Sequence, residues 1–239
     1  MLIRTGGVEA DIRVAAVMST PRLGFTDNFF CVSSALAPHG ISPTKITGAF
    51  WGVTLARGMD SVIDTHDVIL TIDYDTVFTT KSVEALLLLL MHSGYDALAP
   101  LQCKRENGSV MFALHGVPPG ETHSVEAEWF KKPVQPVKTA HFGLTMIRTE
   151  ALRRTPRPWF RPEFDDAGQQ TLDEDLFFWN AFTGAGNKLG VATNISVGHA
   201  ELMITWPSMT NPKGIVHQHT TEYWNGGRKP PEEAWGIVK

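Results

Sequence analysis

Val68-Ile69-Leu70-Thr71-Ile72 runs directly into Asp73-Tyr74-Asp75. An unbroken apolar and β-branched run of that length describes a short buried strand, the kind a parallel sheet uses when helices cover it. Open α/β sheets bind ligands beyond the carboxyl ends of their strands, so the two aspartates stand where a ligand would be met. Mg²⁺ takes one or two protein carboxylates and leaves its remaining positions to water and phosphate oxygens. The pair therefore points to a metal-diphosphate site. Asp-x-Asp is a short pattern, however, and it recurs at Asp173 and Asp175. Helix caps and solvated turns use the same residues, and only the placement at a strand end gives Asp73 and Asp75 their meaning.

The surrounding pattern supports a sheet. Ile12 to Met18 reads as a strand, followed by the loop Ser19-Thr20-Pro21-Arg22. Thr26 is positioned to cap a helix that Pro38-His39-Gly40 stops. Thr44 to Phe50 reads as a strand, Val53 to Asp64 as a helix, and Val68 to Ile72 as the third strand. Thr80 is positioned to cap a leucine-rich helix ended by Gly94, and Tyr95 to Ala99 is a fourth strand. Alternation of this kind implies right-handed βαβ units and a parallel sheet. After residue 103 the pattern loosens. His141 to Arg148 reads as a strand, Asp173 to Phe182 as a largely apolar helix, and Leu189 to Thr193 as a strand. From Thr210 a polar, Pro- and Gly-rich tail reads as a covering loop or a partly disordered segment.

Composition narrows the class. With 239 residues, 43% hydrophobic and 19% charged, the chain can bury a sizeable core. A net charge of −4 argues against a general polyanion binder. Cys31 and Cys103 form neither a metal-type pair nor a disulfide framework, which favours a reducing compartment. No stretch reaches the roughly 20 apolar residues of a membrane span, and the N-terminus does not read as a signal peptide. The expectation is a cytoplasmic protein that is not integral to a membrane.

Three elements occur in order: Asp73-x-Asp75, then Glu174-Asp175 opening a helix, then His199 after a short strand. Together with Ser19-Thr20-Pro21, with Ala56-Arg57-Gly58 before the Asp-x-Asp strand, with His141-Phe142-Gly143-Leu144-Thr145-Met146-Ile147-Arg148, and with Val197-Gly198-His199, they make the chain resemble a GT-A-fold glycosyltransferase of the family 2 type over about residues 12 to 200. The resemblance implies an α/β GT-A (Rossmann-like) fold, with a mixed, mostly parallel sheet flanked by helices. It also implies one domain over 1–239, with a nucleotide-sugar half at 1–102, an acceptor and catalytic half at 103–205, and a covering segment at 206–239.

The implied activity is transfer of a sugar from a UDP- or GDP-sugar to an acceptor hydroxyl, with Mn²⁺ or Mg²⁺ as cofactor. Asp75 would bind the metal, Asp73 the ribose or the metal through water, and His199 would be a third ligand or a diphosphate contact. Imidazole favours Mn²⁺. Arg57 would pair with the diphosphate. Ser19, Thr20, Pro21 and Arg22 would hold the base and ribose, with Tyr74 and Gly143 among the donor contacts. Asp175 would be the general base of an inverting reaction, with Glu174 and Asp173 as neighbours one and two positions away. The acceptor stays open among a sugar, a lipid phosphate, a polypeptide and a modified nucleobase.

Gly58 departs from the family, where Asn is frequent. The stretch Arg148 to Arg161 carries five Arg and one Glu, and reads either as a solvated face or as a site for a phosphate-bearing acceptor. Trp129, Trp159 and Trp179 are candidates for sugar stacking or for core. His217-x-His219 is a second possible metal pair. Two rival functions remain: a nucleotidyltransferase acting on a sugar phosphate, which would want a Gly-rich basic loop after the first strand, and a non-catalytic nucleotide-sugar-binding module.

Overall fold

The computed structural model describes residues 2–5, 8–21, 24–104, 109–116, 127–207, 215–227 and 230–232. Its centre is a seven-stranded sheet. The strands are β1 (Val14–Thr20), β2 (Thr44–Thr47), β3 (Val68–Asp73), β4 (Ala97–Leu101), β5 (Val134–Pro136), β6 (Leu144–Arg148) and β7 (Leu189–Ser196). They lie in the order β2-β1-β3-β6-β4-β7-β5. β2, β1, β3, β4 and β7 run the same way, whereas β6 lies antiparallel between β3 and β4, and β5 is antiparallel to β7. The all-parallel expectation for the βαβ units is thus interrupted by one reversed strand from the second half of the chain, giving the mixed sheet of the fold class.

Helices α1 (Thr26–Leu36), α2 (Trp51–Val62), α3 (Thr80–Ser93), α4 (Thr149–Arg154) and α5 (Glu174–Gly184) cover both faces. Alternation along the strands sorts the two cores. Val17 of β1, Ile69 of β3 and Ile147 of β6 pack with Leu55 and Met59 of α2 and Trp179 of α5. Their neighbours Ala16, Leu70 and Met146 pack against α1 and α3. On α3, Val83, Leu86, Leu87 and Leu90 form a fully buried stripe at helical spacing, while Leu88 and Leu89 are half-buried.

Local differences have local causes. The leucine-rich helix is capped by Thr79, one residue before the expected Thr80, because Ser82 three positions on completes a reciprocal capping box. Phe25, and not Thr26, precedes α1, and no side chain caps that helix. Arg153 donates to the Ile63 carbonyl, Arg154 pairs with Asp96, Arg157 with Asp60 and Arg161 with Glu163, while Arg148 donates to Leu90 and Tyr95 carbonyls. The arginine-rich stretch is therefore engaged in holding elements together. The tail is not a plain loop: Met203–Pro207 pairs antiparallel with Ile215–His219, which leads into helix α6 (Thr220–Asn225).

Candidate active site

Three strand ends and two helix starts build the site. β1 and β3 are in register so that Ser19 lies beside Asp73. The Asp73 amide donates to the Gly143 carbonyl at 3.1 Å, which fixes the turn-off point of β3 against the start of β6. The chain then makes a two-residue strand, Thr76–Val77, that pairs antiparallel with Gly198–His199. That small ladder carries His199 to Asp75: His199 Nε2 stands 3.4 Å from Asp75 Oδ2. The Ala200 amide closes the arrangement by donating to the Asp75 carbonyl at 2.7 Å.

The other ring nitrogen of His199, Nδ1, lies 2.9 Å from the Cys103 carbonyl. A carbonyl only accepts, so Nδ1 carries a proton, and Nε2 is the ring nitrogen that faces the Asp75 carboxylate. A carbonyl-anchored imidazole beside a carboxylate is a donor set suited to a divalent metal. No group of three or more His, Cys, Asp or Glu side chains forms a ready metal cage among the described residues. One oxygen of Asp73, Oδ1, instead accepts from Trp51 Nε1 at 3.0 Å.

Asp73 is half-buried and holds the middle of the cluster. Burial, opposed by the Trp51 hydrogen bond and increased by the charges of Asp75 and Asp175, pushes its carboxyl up to about 6. Asp175 is raised as well, chiefly by burial, against its hydrogen bond from the Leu176 amide at 2.7 Å. Asp73 and Asp175 line one open cleft of about 540 Å³. Carboxylates a hundred residues apart in sequence thus share one cavity, and the Asp75–His199 pair adjoins it through Asp73.

The remaining expected residues fall in several places. Glu174 Oε2 accepts from the Gly52 amide at 2.8 Å, satisfying one of the free N–H groups in the first turn of α2. A Cβ at Gly52 would lie 2.4 Å from that oxygen. Glu174 therefore ties the start of α5 to the start of α2. Ser19 and Thr20 are buried, and the Thr20 hydroxyl bonds to Ile46 and Thr47 of β2. Pro21 is exposed, and Arg22 lies outside the described residues. Tyr74 stacks on Phe25, ring centroids 6.2 Å apart. Gly143 is buried, where a Cβ would be 2.6 Å from Thr76 Oγ1 and 2.7 Å from Gln102 Oε1.

Arg57 is exposed on α2, six residues past Trp51. It is not among the described residues that line the cleft. Gly58 next to it is buried against Val17 and Ile46. Trp129 packs on Phe112, and Trp159 and Trp179 are core; none of the three lines the cleft. His217 lies against Thr205 and His219 pairs with Glu201, so the second histidine pair has separate partners.

Sequence reasoning missed three contributors to the cleft. Trp51 is one, and its only signal was an aromatic at a helix start. His141 is another: its Nδ1 accepts from the Gly143 amide and its Nε2 donates to the Pro100 carbonyl at 2.8 Å, so it is held neutral, with burial lowering it to about 4. The third is the hairpin Glu163–Phe164 with Gln170–Leu172, which brings Phe164 and Gln170 to the cleft from a stretch with no strand pattern.

No family model and no curated protein matches the chain. Solved structures do. A197 from STIV superposes with a TM-score of 0.52 at 15% identity, covering 86% of this chain and 94% of that one. GalNAc-T7 with UDP, GalNAc and Mn²⁺ gives a TM-score of 0.52 at 13% identity, covering 79% of this chain and 44% of that one. At such identities the likeness speaks for architecture, and together with the mixed sheet and its flanking helices it establishes a GT-A-like fold.

Proposed function

We propose that the chain is a metal-dependent glycosyltransferase that moves a sugar from a UDP- or GDP-sugar to an acceptor hydroxyl with inversion. The observation that carries this reading is the shared cleft of Asp73 and Asp175, with the Asp75–His199 pair beside it. GalNAc-T7, of the same architecture, is known with UDP and Mn²⁺. Asp75 and His199 would hold the cation, with diphosphate oxygens and water completing its shell. When bound, the metal neutralises charge on the departing diphosphate.

The residues of the chain do the rest. Asp175, raised by burial, sits in the cleft where an acceptor hydroxyl would enter. The hydroxyl oxygen attacks the anomeric carbon, its proton passes to Asp175, and the bond to the nucleoside diphosphate breaks. Glu174, bonded to Gly52, fixes the helix start that aims Asp175. Asp73, held by Trp51, offers its other oxygen to the ribose or to metal-bound water.

A thermal-shift series with UDP and GDP, each with and without Mn²⁺, tests the assignment. A ligand at 100 times its Kd stabilises the native state by about 2.7 kcal/mol. One nucleotide should raise the melting temperature far more with Mn²⁺ than without, and Asp75→Ala should erase the difference. A shift indifferent to Mn²⁺ or to Asp75 defeats the proposal.

A further inference from the structure

Phe50 and Phe164 are 70% and 59% exposed, and both line the cleft that contains Asp175. Single exposed aromatics are ordinary, but two lining one carboxylate-bearing cleft mark a contact surface. Neither position is accidental in its support. Phe50 immediately precedes α2, and its carbonyl accepts from the Thr54 hydroxyl and amide. Phe164 and Gln170 are cross-strand partners in their hairpin, so their side chains stand next to each other. The turn of that hairpin is held by Asp165, whose Oδ1 accepts from the Ala167 and Gln169 amides at 2.9 and 2.8 Å. Gln170 Nε2 in turn donates to Asp173 Oδ1 at 2.8 Å. The Phe164 ring is thus set beside a carboxamide that is itself tied to a carboxylate, and Phe50 lines the same cleft.

Charge narrows what can lie there. Asp73, Asp173, Glu174 and Asp175 line the cleft, and no Lys or Arg is among its described lining residues. Arg148, Arg153, Arg154 and Arg157 are spent on carbonyls and carboxylates away from the cleft, and Arg161, beside the cleft-lining Pro162, is paired with Glu163. A phosphate-bearing or polyanionic acceptor would face repulsion without a counter-charge. A cationic acceptor is the rival that the charge favours, and binding of a lysine-rich peptide decides for or against it; each of the four carboxylates also accepts a hydrogen bond from a neutral group of the protein. Their remaining lone pairs suit hydroxyl donors. An aromatic platform beside clustered acceptors matches a sugar ring, which offers an apolar C–H face and a rim of hydroxyls.

We infer that the acceptor is an uncharged saccharide whose ring lies on Phe50 and Phe164 and whose hydroxyls reach Gln170 and the carboxylates behind it. The inference rests on the transferase reading and fails separately from it. Saturation-transfer NMR on the whole protein, with neutral trisaccharides (maltotriose, cellotriose, chitotriose), glucose 6-phosphate, a short single-stranded oligonucleotide and a lysine-rich peptide as probes, needs no donor. At least one neutral trisaccharide should bind, with saturation strongest on its ring C–H protons. Phe50→Ala and Phe164→Ala should each weaken that binding about tenfold, equivalent to about 1.4 kcal/mol, and Phe164→Tyr, which keeps the ring, should retain it. The melting temperature of each variant checks that it is folded. Preference for the phosphate, the oligonucleotide or the peptide, binding of no neutral saccharide, or full binding by both alanine variants overturns the inference. Loss of the Mn²⁺-dependent nucleotide shift, with saccharide binding intact, would instead strike the transferase reading.

Discussion

Asp73 shows how one residue is asked to do opposed things. Its folded carboxyl is raised from 3.8 to about 6, so folding favours its protonated form. Below the unfolded value both states carry the proton and there is no cost. As pH rises through about 4 to 6 the unfolded chain ionises first, and stability falls before levelling off above the folded value. Asp73→Asn keeps an acceptor for Trp51 and removes the charge. It should raise the melting temperature at pH 7.5, with the gain shrinking as pH falls and vanishing below about 3. His141, lowered to about 4, acts in the reverse sense, losing stability as pH falls from 6.5 towards 4. The difference between variant and parent, followed by calorimetry across pH, isolates Asp73 from it. At Asp175 the expectation concerns rate. Asp175→Asn should leave Mn²⁺-dependent nucleotide binding intact and reduce transfer by about 10²–10⁴-fold, the usual worth of a positioned base. A turnover near the parent's would place the base elsewhere.

At the scale of elements, α2 is held from both ends of its role. Its start meets Glu174 of α5 at Gly52, and its middle lies on β1 and β2 through Gly58. The resemblance would put Asn at 58 as a nucleotide contact. The structure gives Gly58 a packing reason: a Cβ there would stand 2.3 Å from Val17 Cγ1 and 3.0 Å from Ile46 Cγ1. Replacing a helical Gly gains up to about 1 kcal/mol of propensity. Overpacking against a stiff β-branched core residue costs about 1–3 kcal/mol, so the second effect wins. Gly58→Asn should therefore lower stability in urea titration and should not strengthen nucleotide binding.

The two halves of the molecule are interleaved. Residues 1–102 supply β2, β1, β3 and β4, yet β6 from the second half sits hydrogen-bonded between β3 and β4. Neither half can keep a continuous sheet without the other. Unfolding should accordingly be a single transition, with far-UV circular dichroism and tryptophan fluorescence superimposable. Trp179, buried against Phe142 in the core below the cleft, would report the same event as the backbone. Two separated transitions would mean independently stable halves.

Much of this was legible in the chain alone. The run Val68–Ile72 announces a buried strand because burial on two faces leaves no room for polar alternation. Gly94 marks a helix end, adopting φ 71°. Asp73, Asp75 and Asp175 stand out because acidic pairs at a strand end and a helix start are local patterns, whereas His199 stands out only through its place in the resemblance. Other features depend on distant chain segments meeting. The antiparallel entry of β6, the ladder that carries His199 to Asp75, the trans-capping of α2 by Glu174, and the convergence of Phe50 with Phe164 leave no periodic trace. Periodicity reports which face of an element is buried, whereas a cleft is made by which elements become neighbours, and that is decided when the two cores pack on either side of the sheet.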